Sequence, residues 1–382
     1  MGVTVERPAV IKGLEDVYVK ESKICLVDGI EGRLLYVGYD IRDLAAHSTF
    51  EETCYLLWNL RLPLRSDLET TRRAIGEERK VPPEIYAMLR KMPRTTVPID
   101  ALRTAVSALA AFDPELGDPS RDANLRKALR ITAKLGTLVA AIHRIREGKR
   151  PLAPDPSRGH AEDILRMITG KEPDAQMARI LDVALILHAD HSLNASTFGA
   201  TVAASTLADL YSTVVAGIAT LKGPLHGGAN EQALKMLLKI GSPANAETYV
   251  ANALAQREKL PGFGHRVYKN YDPRALILRD HAKALAERSG DMNLFDTATA
   301  VQEIMLRELA ERRIYPNVDF YSGVTYHLMG LPADVFTPIF AVSRVSGWTA
   351  HVIEYWQSNR ILRPLDAYIG PMEAQYVPVD ER

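Results

Sequence analysis

The sequence predicts an all-α protein built from several layers of helices. Two observations carry that prediction. Strand signals are confined to one stretch near the N-terminus, and apolar residues elsewhere recur at helical spacing or fill whole helical segments. A third observation concerns the exceptions: glycine-containing motifs at Gly223 to Gly228, Pro261 to Gly264 and Gly323 gather in the second half, where function is to be sought.

The elements follow in chain order. Lys23 to Tyr39, with CLVDGIEGRLLYVG at its heart, reads as a short β-hairpin: two strands around a glycine-containing turn. Phe50 to Leu60 reads as an amphipathic helix. Leu102 to Ala111, Leu125 to Arg146 and Ile180 to Leu187 are increasingly apolar. A helix apolar on most sides is covered by other helices, which argues for stacked helical layers and against a helix-coated parallel sheet. FDPELGDPSRD (Phe112 to Asp122) and GKRPLAPDPSRG (Gly148 to Gly159) are rich in Pro and Asp and read as surface loops. No internal repeat, low-complexity tract or long linker interrupts the chain.

The 382 residues suffice for a large core and about two domains. Acidic and basic residues number 47 each, so the net charge is near zero. That balance argues against nucleic acid or an anionic membrane as the main partner, yet leaves room for a local basic pocket that takes a small phosphorylated ligand. No run of about 18 apolar residues occurs, so no membrane span is expected. The N-terminal stretch MGVTVERPAVIKGLEDVYVK has no apolar core of the signal-peptide type, and a cytoplasmic location is expected. Cys25 and Cys54 lack a CxxC spacing; two reduced thiols are expected, with a single disulfide as the alternative.

Five strings place polar residues in apolar settings. In LILHADHSLNAST, His188 and His191 are three apart and are expected to share a helix face. They read as a core histidine pair, as a donor to a substrate carboxylate, or as part of a zinc site, though HxxH lacks the HExxH spacing and an obvious third ligand. Asn194 and Ser196 read as caps for the next helix. In LKGPLHGGANEQALKML, Gly227 and Gly228 allow close backbone approach, and His226 precedes a helix that begins near Asn230. The positive end of that helix is expected to keep His226 neutral, and a neutral imidazole can donate to a carbonyl becoming an enolate.

KLPGFGHRVYKNYDPRALIL joins an irregular PGFG loop to His265, Arg266 and Lys269. Asp272 and Pro273 read as a helix cap and first helical residue. That places Arg274 beside free backbone N–H groups, a good site for a carboxylate. In IYPNVDFYSGVTYHLMGLP, Asp319 is either a helix cap or a general base strengthened by partial desolvation. In FTPIFAVSRVSGWTAHVIEYWQSNRILRPLDAYIG, Arg344 interrupts an apolar helix, and a buried arginine needs an anion; Arg363 precedes Pro364 in a polar tail.

HADHSLNAST, GPLHGGANE, GFGHRVYKNYDPRA, PNVDFYSG and FAVSRVSGW in this order resemble the citrate synthase family, in the shorter bacterial and archaeal form, over essentially the whole chain. Val37 and Ser192 depart from residues common in relatives without touching the presumed chemistry. The resemblance implies a large domain (1–221), a small domain (222–329) that closes over bound oxaloacetate, and a return segment (330–382). It implies that Asp319 takes a methyl proton from acetyl-coenzyme A and that His226 stabilises the enol or enolate. His265 then polarises the oxaloacetate carbonyl, and the citryl thioester formed is hydrolysed to citrate. His191, Arg274 and Arg344 would hold the oxaloacetate carboxylates. Arg363 would serve the neighbouring subunit of a homodimer joined largely through Ala200 to Lys222. Lys259, Leu260, Pro261, Gly262, Phe263 and Gly264 would recognise the adenine of coenzyme A; Arg266, Lys269 and Arg79 are candidates for its phosphates. Coenzyme A is a co-substrate in this scheme, and no metal or tightly bound cofactor is required. The alternatives are a 2-methylcitrate synthase using propionyl-coenzyme A and, more distantly, a non-catalytic or metal-dependent helical binding protein.

Overall fold

The computed structural model describes residues 9–382; the first eight residues of the N-terminal stretch read above lie outside it. Helices dominate, as expected. The hairpin is present but has a third strand. Cys25–Asp28 pairs antiparallel with Arg33–Tyr36, and Tyr39–Asp40 adds to the other edge. The expected two-strand reading missed it because only two residues pair before Asp40 caps the next helix.

The expected helices begin earlier than their apolar residues indicate. Pro98–Leu109 opens on proline at its first position. Arg121–Arg146 opens after Ser120, whose Oγ accepts from Ala123 N at 3.3 Å. Ala175–His188 opens after Asp174, whose Oδ1 accepts from Met177 N at 3.0 Å. First turns are polar because their N–H groups need caps, so periodicity of apolar residues finds the middle of a helix before its ends. Phe50–Asn59 stops at Leu60, which turns into the left-handed region at φ 56°. Both cysteines are free thiols.

Phe336–Tyr355 is the axis of the fold. Every residue in it except Glu354 is buried. Around it pack Phe50–Asn59, Arg121–Arg146, Ala175–His188, Ala195–Ser205 and Leu210–Leu221. Two glycines permit close approach to this axis. A Cβ on Gly347 would stand 2.4 Å from Ala189 O, so only glycine lets the segment after His188 lie against the helix. A Cβ on Gly217 would stand 2.9 Å from the buried ring of Trp348. Ala229–Ile240, Ala246–Ala255, Pro273–Ser289, Asn293–Glu308 and Val318–Leu328 pack against one another.

The hairpin turn touches the second half of the chain. A Cβ on Gly29 would lie 2.1 Å from Val267 O, and Lys269 N donates to Gly29 O at 2.8 Å. The turn therefore props the segment that follows His265.

Gly217→Ala places a methyl group 2.9 Å from the buried Trp348 ring, so the helices must shift apart. It is expected to destabilise the fold by about 1–3 kcal/mol, measured as a lower midpoint of urea unfolding at fixed protein concentration.

Candidate active site

Arg344 and Arg274 lie at the centre of the candidate residues. Arg344 is 1% exposed; its Nε donates to His188 O at 2.7 Å and its guanidinium lies 4.8 Å from the centre of the Phe340 ring. No carboxylate forms an ion pair with it among the described residues, and burial pulls its pKa below the usual arginine value against the opposing pull of Asp190. An anion is wanted there. Arg274 is in the first turn of Pro273–Ser289, as expected, and Asp272 caps that helix by accepting from Arg274 N at 3.0 Å. Asp272 also takes Arg274 Nε at 3.0 Å and Nη2 at 2.8 Å, so one face of the guanidinium is occupied and Nη1 remains for a ligand. The same carboxylate accepts from Val318 N at 3.1 Å, which ties Arg274 to the helix carrying Asp319.

His188 and His191 do not share a helix face. The helix ends at His188, whose Nδ1 bonds Ala184 O at 2.7 Å and whose ring packs edge-on against Phe340 at 4.9 Å. It is a core histidine, held down to about pKa 3 by burial. His191 lies beyond the turn, with its ring 5.1 Å from His265 and 5.5 Å from Tyr268. Burial, then the charge of Arg274, holds it well below the usual imidazole pKa. No cluster of three or more His, Cys, Asp or Glu side chains able to hold a metal occurs among the described residues.

The tautomers of the other two histidines follow from backbone donors. His265 Nδ1 accepts from both Val267 N and Tyr268 N at 3.0 Å, so its proton is on Nε2. His226 Nε2 accepts from Ser196 N at 3.2 Å, with Ser196 Oγ at 2.8 Å, so its proton is on Nδ1. Trp348 Nε1 donates to that same Oγ at 3.0 Å. Both rings are pushed down to about pKa 4, in each case by burial first, then by Arg344 for His226 and Arg274 for His265. Both are neutral donors near pH 7. Burial, more than the helix end invoked from sequence, keeps His226 uncharged.

Asp319 is the second residue of Val318–Leu328. The cap is Asn317, whose Oδ1 accepts from Asp319 N at 3.0 Å, which leaves the Asp319 carboxylate unused by the helix. Its Oδ1 is buried without a hydrogen-bond partner. Burial pushes its pKa up to about 7, opposed first by Arg274. Arg344 acts electrostatically on His226, His191 and Asp319, and Arg274 on His265, His191 and Asp319. Residues distant in sequence therefore surround the same two guanidinium groups.

The PGFG loop is pinned to the Asp319 helix. Gly262 O accepts from Asn317 N, and Gly264 O from Asn317 Nδ2, both at 2.9 Å. Gly262 adopts φ 85°, and a Cβ there would meet Phe320 at 2.8 Å. Lys259, Arg266 and Lys269 are exposed, Leu260 is buried, and the Phe263 ring packs 4.7 Å from Phe320. Arg363 is exposed in the C-terminal segment, outside any helix or strand. Arg79 is a correction: it is 1% exposed and donates to Asp155 O and Arg158 O at 3.0 Å and to Asp163 Oδ2 at 3.3 Å. It holds the 155–163 segment and cannot reach a phosphate.

Sequence reasoning missed the contributions of Ser196, Asn317 and Trp348. Their signal is conformational: each serves through a backbone group or a hydrogen bond that exists only once distant helices meet.

The family model described as "Citrate synthase, C-terminal domain" matches residues 13–365. The chain belongs to the citrate synthase family. It is similar to "Citrate synthase 2" of Bacillus subtilis, 46% identical over 97% of this chain and 99% of that protein. The citrate synthase structure from Pyrobaculum aerophilum superposes with a TM-score of 0.93 at 44% identity, covering 98% of this chain and 95% of that one. The citrate synthase of Thermoplasma acidophilum, solved as a ternary complex with carboxymethyl coenzyme A and oxaloacetate, superposes with a TM-score of 0.93 at 35% identity, covering 98% of this chain and 100% of that one. Membership in the citrate synthase family makes the protein an acyl-transferring enzyme with an all-α fold.

A carboxyl whose pKa is raised on folding binds more protons in the native state, so its contribution is fully present at low pH and is lost as pH rises towards the folded pKa of about 7. Asp319→Asn removes that penalty. It is expected to raise unfolding stability at pH 8 by about 1–3 kcal/mol, with the gain vanishing near pH 4, in paired denaturant titrations.

Proposed function

We propose that the protein condenses acetyl-coenzyme A with oxaloacetate and hydrolyses the citryl thioester to citrate and coenzyme A. The observation that carries this reading is a desolvated, unpartnered carboxylate oxygen on Asp319 that shares the fields of Arg274 and Arg344 with two neutral histidines whose donor nitrogens are fixed by backbone N–H groups. A thioester methyl group is a very weak acid, so base and hydrogen-bond donor must act on it together.

In this scheme Asp319 removes the methyl proton while His226 Nδ1–H donates to the thioester oxygen. The enol carbon attacks the oxaloacetate carbonyl carbon and forms the new C–C bond. His265 Nε2–H protonates the oxygen that becomes the hydroxyl. Water then cleaves the thioester, releasing the thiol. Arg344, Arg274 and His191 hold the two carboxylates; the unpaired cation of Arg344 supports that role most directly. Coenzyme A lies along Lys259 to Gly264, with Arg266 and Lys269 near its phosphates. Residues 222–329 form the small domain and close over oxaloacetate, which shields the enolate from water. Arg363 completes the site of the second copy in a cytoplasmic homodimer. The reading has support in the tail itself, where Leu365, Tyr368, Ile369 and Met372 are exposed and want a covering surface.

Thiol release with oxaloacetate tests the proposal. Asp319→Ala is expected to lower kcat by about 10³-fold or more with an unchanged circular dichroism spectrum, and full retained activity would end the scheme. Acetyl-coenzyme A is expected to be turned over faster than propionyl-coenzyme A; the reverse order would make the enzyme a 2-methylcitrate synthase. Activity is expected to survive a chelator. kcat/KM is expected to fall on the acid side of about pH 7 as Asp319 takes up its proton. Ser196→Ala leaves Ser196 N on His226 but removes the hydroxyl. It is expected to reduce kcat about tenfold, the scale of one hydrogen bond, with KM for oxaloacetate unchanged.

A further inference from the structure

Arg344 has a buried carboxylate for a neighbour, yet the two form no ion pair among the described residues. Phe336–Tyr355 carries Arg344, Gly347, His351 and Glu354 at spacings of three and four, so these four lie along one face of the helix. The turn after His188 crosses that face at the gap left by Gly347. Gly347 N donates to Ala189 O at 3.1 Å, and a Cβ on Gly347 would stand 2.5 Å from Asp190 Oδ1. The Asp190 side chain, fully buried, therefore lies between Arg344 and His351.

The carboxylate is committed to the histidine. Asp190 Oδ2 accepts from His351 Nε2 at 3.0 Å and from Ser192 N at 3.2 Å. An ionised carboxylate only accepts, so the proton in the first contact belongs to Nε2. Asp190 Oδ1 is buried without a hydrogen-bond partner. Burial pushes the Asp190 carboxyl up, but His351, and after it Arg344, hold it below the usual carboxylate value.

His351 is itself held from behind. It is 1% exposed, and its Nδ1 lies 3.9 Å from Glu354 Oε2. That oxygen accepts from Lys20 Nζ at 3.0 Å, and Glu354 Oε1 accepts from Lys23 N at 2.8 Å. The segment leading into the hairpin thus closes a row in which each carboxylate lies between two nitrogen groups. Glu354 lies between Lys20 and His351, and Asp190 between His351 and Arg344.

We infer that His351 is a positioning residue for oxaloacetate: it holds the Asp190 carboxylate off Arg344 and so keeps that guanidinium open to the substrate. This rests on the reading that Arg344 binds an oxaloacetate carboxylate. Opposite charges buried side by side attract strongly, so an Asp190 released by His351 turns its unpartnered oxygen to Arg344 and competes with the substrate. Substrate affinity then falls by the fraction of molecules in which Arg344 is still open. Catalysis in the occupied site does not change, because the competitor is displaced there.

Thiol release at saturating acetyl-coenzyme A and calorimetric titration of oxaloacetate, both on the full chain, test this. His351→Leu removes the donor; KM and Kd for oxaloacetate are expected to rise about tenfold or more, with kcat within about twofold. His351→Gln keeps an N–H donor and is expected to recover most of the loss. Asp190→Asn removes the competing charge and keeps an oxygen for Ser192 N. Alone, and combined with His351→Leu, it is expected to leave KM and Kd within about twofold of the unaltered protein. A double variant as weak as His351→Leu would make the histidine a packing residue and overturn the inference. A tenfold loss in Asp190→Asn alone, or its failure to fold, would overturn it too, whether or not His351→Leu folds. Absence of oxaloacetate binding by the unaltered protein would instead overturn the functional reading, and this inference with it.

Discussion

Asp272 and Arg274 sit two residues apart, both almost fully buried, and joined by two side-chain hydrogen bonds of 3.0 and 2.8 Å. The site depends on this pair. Asp272 at once caps Pro273–Ser289, fixes the Arg274 guanidinium and accepts from Val318 N, so one carboxylate sets the relation between Arg274 and the helix bearing Asp319. Taking a single partner away would leave an uncompensated buried charge, which costs more than the pair itself contributes. Arg344 shows the opposite arrangement. It has a carbonyl and an aromatic face for company but no carboxylate partner among the described residues, so its charge is available to a ligand.

Two positive groups so close would favour deprotonation of every neighbouring acid. Asp319 nevertheless has its pKa raised to about 7, because desolvation outweighs the attraction of Arg274 and Arg344. The same burial drives His226 and His265 the other way, to about 4. One physical cause thus raises the proton affinity of a carboxylate and keeps two imidazoles neutral. The backbone completes the arrangement. Val267 N, Tyr268 N and Ser196 N each present a donor to a ring nitrogen, which forces the remaining proton onto the opposite one. Neither burial nor backbone donors need a particular side chain, which is why the second histidine-orienting residue, Ser196, looked like a helix cap in the sequence.

Much of this was legible beforehand, and the failures have a pattern. The helical class, the hairpin, the Asp272 cap and the clustering of His191, His226, His265, Arg274, Asp319 and Arg344 could be read because each rests on a local signal or on a motif string. Arg79 could not: a charged residue at the end of Arg65–Glu78 reads as surface, and only the fold shows the 155–163 segment wrapping its guanidinium. A spacing of three puts His188 and His191 on one helix face only while the helix lasts, and periodicity does not announce where a helix stops. The chain leaves the helix at His188, so one histidine faces Phe340 and the other faces His265. The third strand is two residues long, too short for any alternation to register.

The hairpin has a role that its position in the sequence conceals. Its turn carries Gly29 and Gly32, and added Cβ atoms there would meet Val267 O at 2.1 Å and Tyr271 O at 2.8 Å. Lys269 N donates to Gly29 O, and Arg266 Nη2 reaches Gly13 O at 3.4 Å. At its other end the hairpin is tied to the turn carrying His191, because Tyr36 Oη donates to Asp190 O at 2.9 Å and accepts from Asp190 N at 3.1 Å. The hairpin therefore bridges the segments of His265 and His191, whose rings are in contact. Any motion that separates the 265–271 segment from the helical core must either break the contacts at Gly29 or carry the hairpin turn along. The second course preserves the backbone hydrogen bonds, and a short three-stranded sheet with an exposed turn is an element able to follow.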